Sequence, residues 1–73
     1  MKNQAEVRET FKRGLPVIYD GIEYLYISAI IYRRGGPGGM YTQLELMDRN
    51  RRDVVIASPE RVTMKEGDDG TGK

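Results

Sequence analysis

Between Ile22 and Arg34 the chain reads Ile-Glu-Tyr-Leu-Tyr-Ile-Ser-Ala-Ile-Ile-Tyr-Arg-Arg, the longest β-forming run in its 73 residues. β-Branched and aromatic side chains favour the pleated, extended backbone. Successive side chains of a strand point to opposite faces, so the run has two apolar faces. Leu25, Ile27, Ala29 and Ile31 make an aliphatic one; Tyr24, Tyr26, Ile30 and Tyr32 make a mostly aromatic one. A strand apolar on both sides cannot lie flat on a single core. Strands usually run about 5–6 residues, so this one is expected to bend, with a bulge near the small Ser28 or Ala29.

The rest of the chain supplies partners for that strand. Asn3 is placed to cap a short N-terminal helix, with Glu6 three residues on in the capping-box position. Val7 and Phe11 share a face, Glu9 and Arg13 sit at ion-pair spacing, and Gly14 then Pro16 end the helix. Leu15 to Tyr19 reads as a strand closed by Asp20-Gly21, a strong hairpin signal. After Gly35-Gly36-Pro37-Gly38-Gly39, Met40 to Met47 forms the next strand, and a polar turn from Asp48 to Asp53 leads into Val54 to Ala57. Ser58-Pro59-Glu60-Arg61 carries the signature of one helical turn, and Val62 to Met64 is a last short strand. The expected domain covers residues 3–64. Residues 65–73 hold no apolar side chain, so they are expected to form a disordered tail.

About five short antiparallel strands are too few for two sheets of ordinary sandwich size, so one sheet curled on itself is the expected way to bury both faces. A leading helix, a strand ending in Val17-Ile18-Tyr19-Asp20-Gly21, a long bent strand, a hairpin, a one-turn helix and a short closing strand resemble the SH3-like small β-barrels, and within them the Sm-like branch. The resemblance implies a mainly β, SH3-like barrel with a short N-terminal helix, in a fold group whose ligands run from proline-rich peptides to RNA. Leu15 to Gly21 together with Leu44-Glu45-Leu46-Met47-Asp48 is also similar to small uncharacterised proteins of bacterial mobile elements, which implies a cytoplasmic setting and no activity.

Composition removes most chemistry. There is no His and no Cys, hence neither the commonest general base nor a thiol nucleophile, disulfide or thiolate metal site. The carboxylates are scattered over turns and strand faces, whereas acid–base catalysis needs two converging in one pocket. The Gly-rich loop precedes a strand and lacks the Lys-Ser/Thr step of a phosphate-binding loop. The reading is a non-enzymatic protein without metal or cofactor, not bound to a membrane. Five tyrosines against one phenylalanine suggest a surface covered only part of the time, because a phenol ring joins an apolar body to a polar rim. Tyr24, Tyr26, Tyr32 and Tyr41 are therefore the candidate contacts for a protein partner, with an open sheet edge as a second route. The opposing expectation packs these rings beneath Val7 and Phe11. Arg33, Arg34, Arg49, Arg51 and Arg52 are candidate phosphate contacts for nucleic acid such as RNA. Eight residues of strand separate the two groups by roughly 25 Å. Self-association into a homo-oligomer is a third possibility for such a barrel.

Overall fold

Asn3 begins the helix as its sequence position requires. In the computed structural model, which describes residues 3–65, its Oδ1 accepts the Glu6 N–H at 2.7 Å, and helix α1 follows over Gln4–Arg13. Gly14 closes it in the left-handed conformation (φ 64°). There the Leu15 and Gly14 N–H groups donate to Thr10 and Phe11 carbonyls, satisfying two orphan acceptors of the last turn. The buried face of α1 is Val7 and Thr10, three residues apart, while Phe11 is exposed. Thr10 hides its hydroxyl by donating to the Glu6 carbonyl at 2.8 Å, and its Oγ1 also lies 3.3 Å from the sulfur of Met64.

Six strands follow: β1 Val17–Tyr19, β2 Ile22–Tyr24, β3 Tyr26–Arg34, β4 Met40–Met47, β5 Val54–Ala57 and β6 Val62–Met64, with a 3-10 turn at Pro59–Arg61 between the last two. They form two three-stranded antiparallel sheets, ordered β2-β1-β6 and β3-β4-β5. The β1–β2 turn is Asp20-Gly21, both at positive φ (56° and 76°), as a two-residue turn matching strand twist demands. The single long strand expected from Ile22 to Arg34 is broken at Leu25. Its first part belongs to one sheet and its second to the other, and the Leu25 N–H donates to the Met47 carbonyl at 2.9 Å across the corner. The expected bulge lies at Ser28, where the β3–β4 register shifts between Ile27–Leu46 and Ala29–Glu45. The Ser28 hydroxyl lies 3.1 Å from the Glu45 carbonyl and 2.7 Å from its Oε1, which holds the extra residue in place.

The core lies between the two sheets and under α1, and consists of Val7, Val17, Tyr24, Ile27, Leu44, Leu46, Ala57 and Val62. Of the aliphatic face expected on the long strand, Ile27 alone is buried; Leu25, Ala29 and Ile31 are half-exposed. The break and the bulge are the cause, since each changes which parity points inward. Ile30, an even position, packs against the core instead. Lys65, expected to open the tail, is half-buried and bonds Glu23 Oε2 through its ammonium at 3.1 Å. The remainder of that expected tail lies outside the described residues.

Candidate functional site

The backbone corrections redistribute the tyrosines. Tyr24 is 6% exposed and belongs to the core, its ring centroid 6.4 Å from that of Tyr19. Tyr26 pairs with Met47 and Tyr41 with Arg33, and both fall on the outer face of the β3-β4-β5 sheet. Arg33 and Gln43 share that face, as the 2.6 Å bond from Arg33 Nε to Gln43 Oε1 requires. Tyr32, beyond the bulge, points to the opposite face beside Ile30. The expected shared surface of Tyr24, Tyr26 and Tyr32 is thus corrected. One inserted residue at Ser28 reverses the parity between Tyr26 and Tyr32, and the corner at Leu25 turns Tyr24 inward.

Tyr32 gains new company from this reversal. The outer ends of β3 and β4 extend past the core, and their inner face meets α1 and the 3-10 turn in a cleft of about 430 Å³. Val7 and Ile30 line its apolar part, with Tyr32 and Met40 beside them. Arg8 comes from the helix and Pro59 and Glu60 from the 3-10 turn. Tyr32 is 54% and Met40 61% exposed, yet both sit on paired strand positions, Tyr32 opposite Thr42 and Arg34 opposite Met40. Tyr41 borders the cleft from the start of β4, while its ring lies on the outer face beside the Gly35-Gly36 turn. Gly35 adopts φ 131°, a backbone conformation that other residues rarely take, so glycine suits this position.

The arginines stay apart, as the strand length implied. Arg33 and Arg34 end β3, while Arg49, Arg51 and Arg52 stand exposed in the turn at the far end of β4. That turn is held by its neighbours. Asp48 Oδ1 accepts the Arg49 N–H at 2.6 Å, Asn50 Oδ1 accepts the Arg52 N–H at 2.7 Å, and Asn50 Nδ2 donates to Asp53 at 3.0 Å. Among the described residues, no group of three or more Asp or Glu gathers as a metal site would require, and no helix is long and apolar enough to cross a membrane. Among the described residues, Glu60 is the sole carboxylate bordering the cleft. Met40, Arg8 and Pro59 were not legible as site residues, because they come from three separate elements; the available signal was a large exposed apolar residue directly after a glycine loop. Comparison with family models, curated proteins and solved structures gives no match.

Proposed function

We propose that this chain is a non-enzymatic binding module, SH3-like in build, that receives an extended, apolar segment of a partner protein in the cleft between α1, the β3–β4 hairpin and the 3-10 turn. The carrying observation is the pairing of Tyr32 and Met40, two large apolar side chains kept more than half exposed on hydrogen-bonded strands over one concave volume. Exposed apolar surface on ordered backbone, rimmed by polar groups, is what a recognition site requires. Arg8 from α1 and Glu60 from the 3-10 turn supply the charges that would orient a peptide. The SH3-like reading is supported by the chain from Ile22 to Arg34, which serves both sheets through its corner, and by β1 lying between β2 and β6. The absence of His and Cys and the single bordering carboxylate support a binding role over catalysis.

The test is a photo-crosslinking side chain in place of Tyr32 in the native host, followed by titration of the captured protein against purified variants. Tyr32→Ala should weaken binding about tenfold or more, the size of an interface anchor, and Tyr26→Ala should leave it unchanged. Unchanged affinity for Tyr32→Ala and Met40→Ala, or retention on single-stranded RNA that vanishes steeply with salt, overturns the reading.

A further inference from the structure

Four strand edges end the two sheets, and three of them are guarded. Helix α1 runs alongside β3. β2 carries the charged Glu23 at the middle of its three residues, and β6 is only three residues long with the charged Arg61 and Lys65 at its two ends. β5 has none of this. Its four residues are Val54-Val55-Ile56-Ala57, without charge, proline or bulge, the devices that normally keep an edge from pairing. β4 is its one strand neighbour among the described residues.

The direction of the free backbone groups is fixed by two hydrogen bonds. The Asp48 N–H donates to the Asp53 carbonyl at 2.9 Å, so Asp48 and Asp53 form a hydrogen-bonded antiparallel pair. Such pairs alternate with open ones. In the β4–β5 register, Leu46–Val55 and Leu44–Ala57 are then bonded pairs, while Met47–Val54 and Glu45–Ile56 are open. The Met47 carbonyl agrees, since it is turned the other way to accept from Leu25. Val54 and Ile56 therefore aim their N–H and C=O groups away from β4, into the open edge. Their side chains stand on the outer sheet face, 44% and 42% exposed.

We propose that two copies of this chain pair antiparallel through β5, about a two-fold axis at Val55, with Val54 of each copy opposite Ile56 of the other. This register uses all four outward groups of each edge. The N–H of Val54 meets the carbonyl of the second copy's Ile56, the N–H of Ile56 meets the carbonyl of its Val54, and the symmetric pair repeats both. Moving the register by one residue sets an outward group against one already spent on β4. Moving it by two in either direction leaves only part of the strand paired, setting Val54 against Ser58 or Ile56 against Arg52, both outside β5. The two-fold lies perpendicular to the sheet, so outer faces remain outer. The apolar row Tyr26–Met47–Val54 continues onto Ile56 of the second copy, joining two three-stranded sheets into one of six strands. A self-complementary patch of this kind closes as a dimer and does not propagate.

Sedimentation velocity of the full chain, taken up to millimolar concentration, tests the register. Wild type should move from the 8.3 kDa chain mass toward twice that value. V54K and I56E should each weaken this association about tenfold or more, because each puts a charge against an aliphatic side chain in both symmetry-related cross-strand contacts. Because both side chains are exposed, circular dichroism should show both variants folded. An equimolar mixture of V54K and I56E should restore a two-chain species, because the pairing sets the introduced charges against each other. Tyr32→Ala should associate as wild type does, which separates this surface from the cleft. A wild type that stays at single-chain mass, a V54K and I56E mixture that stays dissociated, a species larger than two chains, or loss of association in Tyr32→Ala overturns the proposal.

Discussion

Three isoleucines on one strand offer the sharpest test of the bulge. In an unbroken strand Ile27 and Ile31 would share a face and Ile30 would oppose them. With Ser28 inserted, Ile27 and Ile30 face the core and Ile31 faces outward. Replacing Ile27 by Ala removes three carbons from a fully buried site. At about 0.8 kcal/mol per methylene, transfer alone accounts for about 2.4 kcal/mol. The unfilled cavity adds to that and brings the loss to about 3–4 kcal/mol, inside the usual range for Ile→Ala. Ile30→Ala, at a partly buried position, should cost about 2 kcal/mol, and Ile31→Ala about 1 kcal/mol or less. At roughly 0.05–0.15 kcal/mol per residue a chain this size holds about 4–11 kcal/mol in all. Ile27→Ala should therefore lower the melting temperature by about 12–30 °C, given about 4–8 °C per kcal/mol in so small a domain. Urea denaturation followed by circular dichroism gives the ranking 27 > 30 > 31. If Ile31→Ala costs as much as Ile27→Ala and Ile30→Ala costs little, the strand is regular and the cleft assignment of Tyr32 falls with the bulge.

Two further outcomes follow from local contacts. Asn3→Ala leaves the Glu6 N–H without its 2.7 Å partner and should cost about 1 kcal/mol in urea melts, with Asn3→Ser recovering most of it. Lys65→Met removes the partner of Glu23 from a half-exposed pair; a loss of less than about 1 kcal/mol is expected, and it should shrink as salt is raised.

Local signals in the sequence carried the fold's outline, because each is decided within a few residues. Asn3 caps where its oxygen can reach the third amide on, Gly14 and Gly21 take a positive φ that other residues rarely adopt, and Ser58-Pro59 opens a single turn. The division into two sheets was harder to read, since the corner at Leu25 is set by what the chain meets there, the Met47 carbonyl. Leucine has no local preference for such a corner. Helix α1 shows the same limit: Phe11 is the more apolar residue, yet Thr10 is buried, because its hydroxyl has the Glu6 carbonyl to donate to.

The candidate site depended on a single count. Reading Tyr24, Tyr26 and Tyr32 as one face assumed an unbroken period of two, and that period fails twice in eight residues. Ser28 was visible as a small residue where a bulge could fit. Yet a bulge of one residue and no bulge differ in sequence by nothing, because the insertion exists only relative to a partner strand. What fixes it is Glu45 across the ladder, whose carbonyl and carboxylate both lie within hydrogen-bond reach of the Ser28 hydroxyl. Parity beyond that point belongs to the pair of strands together. The lining of the cleft is therefore set at Ser28 and Glu45, neither of which touches the cleft itself: they decide that Tyr32 turns toward Met40 and Pro59 while Tyr26 turns toward Met47 and Val54.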